Sequence, residues 1–245
     1  MNNTNPVILL AFANNSAHPL PHLATEYNRL TAILEAAEKK GICALIKYPY
    51  ATVDQILDTF EQAELRGRIA VFHYAGHADS YQLLLEAVHG ASAPAHAGGL
   101  AAFLRYQRGL QLVFLNGCST QAQAQGLLDA GVNVVIATSQ AINDQVATTF
   151  ADHFYTCLAN LDTIEVAFGK AQAAVQTTQG SDTRHLYLIN TPATVATDRW
   201  PWTLYQRPDA FTASQWTLSD AATTKLLPFE PVTVVISAGS FLMGS

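Results

Sequence analysis

Two side chains in this sequence have the type and setting for nucleophilic chemistry. Cys118 follows Val113-Phe114-Leu115-Asn116-Gly117, and His77 follows Phe72-His73-Tyr74-Ala75-Gly76. Each comes after an apolar run and a glycine, the pattern of a residue projected from the turn at a strand's end. In open α/β sheets, sites form at those carboxyl ends. The reactive form of a cysteine is the thiolate, which the positive end of a helix favours. Ser119 or Thr120 is the natural N-cap of a helix starting just after Cys118. His77 can take the thiol proton as a base and return it to a leaving amine as an acid. The backbone N–H groups of Ala78 and Cys118 can form an oxyanion hole. The plainer alternative is a buried, inert Cys118, with one of eight histidines falling at a strand end by chance.

Other constellations are weaker. His73 and His77 have the spacing of a helical zinc pair, but they span a strand-to-glycine turn with no third ligand nearby. The reading is therefore no metal, no cofactor and a core position for His73. Asp144 sits just past a strand end, where it can cap the next helix and line a pocket. Asp79, beside His77, is either an orienting group or a solvated loop residue. Three cysteines, Cys43, Cys118 and Cys157, are odd in number and widely spaced. They form neither a disulfide framework nor a zinc site. No phosphate loop, dinucleotide fingerprint or hydrolase elbow occurs.

The elements that must position these residues alternate. Strands are expected at Val7–Phe12, Ile42–Ile46, Arg68–His73, Leu110–Leu115 and Val132–Thr138, with a short strand or hairpin arm at Tyr81–Leu85. A Pro-containing loop is expected from Gly90 to Gly99. Helices are marked by Leu23, Tyr27, Leu30, Leu34 and Ala37, stopped by Lys39-Lys40-Gly41, and by Val53, Ile56, Leu57 and Phe60. Another starts at Leu100, a short polar one follows Cys118, and Ile142, Val146, Phe150, Phe154 and Leu158 repeat every four residues. Ile164, Phe168, Ala171 and Val175 give one more. Alternation of this kind implies βαβ units, a mostly parallel sheet and helices on both faces, an α/β three-layer sandwich. Trp200-Pro201-Trp202 reads as a tail packed back on the core.

Composition sets the frame. The chain has 245 residues, 49% hydrophobic and only 13% charged, with a net charge of −6. That suffices for one large core and speaks against disorder. Mild acidity disfavours nucleic acid or an anionic membrane surface as partners. No apolar run is long enough to span a bilayer. The run Val7–Ala13 has no Lys or Arg before it, so it lacks the basic start of a signal peptide, which points to a cytoplasmic protein.

The text Phe72-His73-Tyr74-Ala75-Gly76-His77-Ala78, with Val113-Phe114-Leu115-Asn116-Gly117-Cys118-Ser119-Thr120, resembles the two signature motifs of CHAT domains. These are bacterial caspase-like cysteine peptidases of the caspase, gingipain and separase clan. Leu83-Leu84-Leu85-Glu86, Gly99-Leu100-Ala101, Val134–Thr138 with Asp144, and Trp200-Pro201-Trp202 extend the likeness over about residues 1–220. The resemblance implies a caspase-like fold and a peptide or protein substrate. It implies Cys118 as nucleophile and His77 as general base, with Asp144 lining the pocket for a basic residue before the scissile bond. Most relatives carry glycine after the histidine where this chain has Ala78, which is costly only if the backbone there needs positive φ.

Ser237–Ser245 resembles the opening of a formylglycine-generating-enzyme-type, C-type-lectin-like domain. The expected organisation is a peptidase domain at 1–218, a linker at 219–231 and the truncated start of that second domain at 232–245. Domains of this kind are fused to recognition modules in bacterial defence or cell-death proteins. The implied partner is thus a C-terminal sensor domain missing from this chain, with oligomers compatible. A catalytically inactive adaptor of the same fold, acting through protein–protein contacts, is the alternative reading. A flavodoxin-like ligand binder is a third, and it lacks a phosphate loop.

Overall fold

The computed structural model describes residues 5–14, 18–87, 92–179 and 200–219. Uninterrupted apolar runs become the central strands, as burial on both faces requires. Strands β1 (Val7–Ala13), β2 (Ala44–Tyr48), β3 (Ile69–Gly76), β6 (Leu112–Asn116) and β7 (Val134–Thr138) pair in parallel, and β8 (Trp202–Gln206) closes the edge antiparallel to β7. The order is β2-β1-β3-β6-β7-β8. Every residue of β1, β3, β6 and β7 is buried.

Alternate strand residues serve two cores, as the two-residue period of a strand dictates. Ile8, Leu10 and Phe12 face helices α1 (Leu23–Lys39), α5 (Asp144–Ala159) and α6 (Ile164–Gln179). Val7, Leu9 and Ala11 face α2 (Val53–Glu61), α3 (Ala97–Leu104) and α4 (Gln121–Asp129). The architecture is the expected three-layer α/β sandwich. Helix α1 ends at Lys39, with Gly41 just beyond in the left-handed region (φ 73°), where glycine carries no penalty.

The stretch expected to be a loop from Gly90 to Gly99 differs. Ser92–His96 forms β5, paired antiparallel with β4 (Gln82–Glu86), and α3 begins at Ala97. Leu83 and Leu85 are buried and give the hairpin its apolar side, with Ala95 opposite Leu83. Pro94 is tolerated because a two-stranded sheet is all edge. The linker beyond Ser219, a strand expected at Val232–Ile236 and the tail motif lie outside the described residues.

The α1/α5/α6 core is built around Phe114 of β6. Its ring meets those of His73 (4.9 Å), Phe154 (5.4 Å), Phe150 (5.9 Å) and Tyr155 (6.2 Å). Trp202 stacks on Phe150 at 4.6 Å, so the Trp-Pro-Trp segment does pack back on the core, and it adds a sixth strand as well. No described helix is long and apolar enough to cross a membrane. Phe114→Ala is expected to cost about 3–5 kcal/mol of stability, read as a lowered urea midpoint with an unchanged slope.

Candidate active site

Strands β3 and β6 deliver the two candidate residues side by side. Ala75 pairs with Asn116 in parallel register, so His77 and Cys118 each stand two residues beyond the last pair. A Cβ on Gly117 would lie 2.8 Å from both the Ala78 Cβ and the Gly76 carbonyl oxygen. The two turns are therefore in van der Waals contact, and only glycine fits at 117.

His77 is half-buried, and its Nε2 lies 2.5 Å from the His18 carbonyl oxygen. A carbonyl can only accept, so Nε2 carries the proton and Nδ1 keeps the basic lone pair. The loop behind the ring is held from three sides. Leu84 N–H donates to the His77 carbonyl (2.9 Å), and the Tyr74 hydroxyl lies 2.5 Å from the same oxygen and 2.8 Å from that of Leu84. Gln123 of α4, buried, donates from Nε2 to the Asp79 carbonyl at 2.6 Å. Asp79 itself accepts from the N–H groups of Tyr81 and Gln82, closing a local turn instead of orienting the imidazole.

Cys118 is half-buried, with the Ile142 backbone N–H against its sulfur. Burial pushes the thiol above its ordinary range. The Ile142 N–H partly opposes this, and the negative Asp144 adds to the rise. Cys118 does stand at the N-terminal end of α4, as expected, while burial opposes the thiolate there. Thr120 does occupy the N-cap of α4, but its side chain makes no cap bond. Its hydroxyl donates to the Leu115 carbonyl (3.2 Å) and accepts from Thr138 N–H (3.0 Å). The other cysteines are ordinary packing residues: Cys43 is buried with its thiol pushed up to about 11, and Cys157 is half-buried on α5.

Among the described residues, neither Ala78 N–H nor Cys118 N–H makes a hydrogen bond within the protein. Positive φ outside glycine occurs there only at Ser119 (55°) and Leu161 (68°). Ala78 therefore carries no backbone penalty relative to glycine.

Asp144 is not the cap of α5. Asn143 is, accepting from Gln145 N–H (3.0 Å) and Val146 N–H (3.2 Å). Asp144 Oδ2 instead accepts from His22 N–H at 2.6 Å, tying α5 to the start of α1. Burial raises its carboxyl pKa. The His22 N–H opposes this, Glu26 adds to it, and the charges of His22 and His77 pull it down. Asp144 thus lies within electrostatic reach of both His77 and Cys118.

Beneath Cys118 runs a buried polar cluster that the sequence does not announce. Asn116 donates from Nδ2 to Glu26 Oε1 (2.9 Å) and accepts from Trp202 Nε1 (3.2 Å), while His73 Nε2 lies 3.3 Å from the same Glu26 oxygen. His73 is a core residue, as expected, ringed by Phe12, Phe114 and Tyr155. Among the described residues no three His, Cys, Asp or Glu side chains converge to hold a metal ion. The supporting groups that sequence reasoning passes over are the His18 carbonyl, Gln123 and Glu26. A buried polar residue on a helix's apolar stripe is the one signal available for the last two.

No curated protein matches the chain in sequence. Among solved structures it is similar to gingipain R, the Arg-specific cysteine proteinase of Porphyromonas gingivalis. The TM-score is 0.54 at 16% identity, over 88% of this chain and 48% of that one. It is similar to a secreted C11 cysteine protease of Bacteroides thetaiotaomicron, with a TM-score of 0.57 at 10% identity over 84% and 67% of the two chains. A pro-caspase, pro-sf-caspase-1, matches at 0.52 and 9% identity over 83% and 92%. At these identities the likeness shows the caspase-like fold, and the chain spans about half the length of gingipain R. The CHAT domain model matches residues 2–210, most of the chain, which therefore belongs to the CHAT domain family.

Proposed function

We propose that the chain is a cysteine endopeptidase domain with Cys118 as nucleophile and His77 as general base. The observation that carries this reading is the contact between the turns after β3 and β6, which sets the two residues at equivalent positions on adjacent strand ends. The peptidase fold of the relatives supports it at the level of fold.

Burial raises the thiol and so favours proton transfer during attack over a standing ion pair. Cys118 Sγ attacks the scissile carbonyl carbon while its proton passes to His77 Nδ1. The C–S bond forms and the carbonyl electron pair moves onto oxygen, facing the unused N–H groups of Ala78 and Cys118. Collapse breaks the C–N bond, and the imidazolium gives its proton to the departing amine. Water, losing a proton to His77, then hydrolyses the thioester and restores the thiol. Asp144 supplies negative charge beside this centre and suits a basic side chain just before the scissile bond.

Three outcomes test the reading. A peptidyl acyloxymethyl ketone with a terminal arginine is expected to label Cys118. Cys118→Ala abolishes labelling and His77→Ala slows it at least about 100-fold; labelling unaffected by His77→Ala removes the general base and favours the inactive adaptor. Second, alkylation of Cys118 by neutral iodoacetamide, mapped by mass spectrometry, is expected to keep accelerating above pH 9. A plateau near pH 7 would mean a thiolate stabilised at rest. Third, Asp144→Asn keeps an acceptor for His22 N–H and is expected to lower the preference for arginine over leucine before the scissile bond by about tenfold or more. Because burial raises the carboxyl pKa, the folded wild type loses stability as pH rises through that titration. The Asp144→Asn variant lacks this decline, so it is as stable as wild type or more so at pH 7 in urea titrations.

A further inference from the structure

The nucleophile separates two surfaces of different character. Asp144 opens α5, so it belongs to the sheet face covered by α1, α5 and α6. A groove of about 510 Å³ opens on the opposite face, beside α4. Its polar lining is Ser80, Ser119, Gln121, Gln125, Ser139 and Tyr205, with Ala122 and Ala124 of α4 between them. Ser80 follows His77 by three residues, Ser119 is the neighbour of Cys118, and Ser139 leaves the end of β7. The groove therefore lies at the same carboxyl edge of the sheet as the candidate catalytic residues, one residue along the chain from Cys118.

Its lining is uncharged, mixing hydroxyl and carboxamide groups with small apolar ones. No Asp, Glu, Lys, Arg or His lines it. Ser139 Oγ is engaged by the Pro201 carbonyl (3.3 Å) and Gln125 Nε2 by Asp129 (2.8 Å). The side-chain polar groups of Ser80, Ser119, Gln121 and Tyr205 make no hydrogen bond within the described residues. These hydroxyls and the carboxamide can each donate and accept. They match an uncharged polar side chain or a peptide group, whereas a charged side chain would shed water there without gaining an ion partner.

We propose that this groove is the subsite for residues on the leaving-amine side of the scissile bond, and that it takes uncharged polar side chains such as serine, threonine, asparagine or glutamine. The proposal rests on the Cys118–His77 reading. A peptide whose acyl-side residue is held on the Asp144 face must cross Cys118 and depart over the α4 face, where this groove is the recess it meets. The volume exceeds one such side chain, so the first two leaving-side residues fit.

The test uses the full chain and two kinds of substrate. Peptidyl-arginyl aminomethylcoumarin carries acyl-side residues only and reports catalysis without the groove. Peptides with arginine fixed before the scissile bond and one of the next two positions randomised report the groove, read by mass spectrometry. Uncharged polar residues are expected to be cleaved about five- to tenfold faster than Asp, Glu or Lys at those positions. Gln121 is exposed in the first turn of α4, so charge is tolerated there. Gln121→Glu is expected to raise the ratio of Lys-peptide to Glu-peptide cleavage by a similar factor, and Gln121→Lys to lower it. Coumarin release with a flat leaving-side profile, or with that ratio unmoved by both variants, overturns this proposal alone. If the wild type releases no coumarin and cleaves no peptide, the peptidase reading fails and the groove assignment falls with it.

Discussion

At their C-terminal ends β3 and β6 approach so closely that no side chain fits between the turns that leave them. A Cβ on Gly117 would meet the Gly76 carbonyl oxygen and the Ala78 Cβ at 2.8 Å each, and one on Gly76 would run into the Ala13 carbonyl oxygen of β1 on the other side. Backbone contact of this kind fixes geometry more tightly than side-chain packing, because it has no rotamers to relax through. Everything else at the edge follows from it. Cys118 and His77 leave from equivalent positions, Ala78 lies on Gly117, and Ser119 must turn through the left-handed region to start α4. Gln123 then reaches back from α4 to the Asp79 carbonyl, so the helix that follows the cysteine also holds the loop that follows the histidine.

Such a contact needs a floor that does not slide, and the buried Glu26 cluster provides it. Glu26 is 1% exposed, His73 is 0% exposed, and Asn116 links the acid to Trp202. Hydrogen bonds through Asn116 join α1, β6 and β8, and the His73 ring of β3 packs 3.3 Å from the same Glu26 oxygen. Buried ionic and polar groups are poor sources of net stability, because desolvation consumes most of what their attraction returns. Their effect is directional. Sliding α1, β6 or β8 breaks the bonds made by Asn116 and leaves polar groups unpaired in the core, at a cost of about 1–3 kcal/mol each. Asn116 is two residues from Cys118, so this penalty acts on the strand that carries that cysteine.

The sequence makes some of this legible and hides the rest for physical reasons. Val7–Ala13, the strand before Gly76 and the one before Gly117 are readable because burial on both faces demands unbroken apolar text. Helix α5 is readable from its four-residue repeat. Strand β5 is hidden because Ala93-Pro94-Ala95 has no strand preference of its own and is ordered by Leu83 and Leu85 across the hairpin. Strand β8 is hidden because Thr203, Tyr205 and Gln206 are only half-buried at an edge. The α5 cap is ambiguous between neighbours of equal capping ability. Asn143 takes it because Asp144 is drawn to the exposed N–H of His22. The acceptor on His77 is a main-chain carbonyl, which no residue type encodes, and the raised thiol of Cys118 depends on burial that spacing alone does not measure.

The position of Asp144 creates a tension that the proposed chemistry resolves. A carboxylate close enough to hold a cationic substrate side chain also raises the pKa of the thiol beside it, and both effects come from the same charge. In the empty site this disfavours the thiolate. A cation seated against Asp144 offsets that Coulombic contribution, while excluding water and leaving in place the larger one that comes from burial. The nucleophile is thereby eased toward deprotonation only when the substrate's side chain is bound, which is differential stabilisation of the reacting state and not of the resting one. On the proposed chemistry a single carboxylate is both a recognition element and a further restraint on a half-buried thiol.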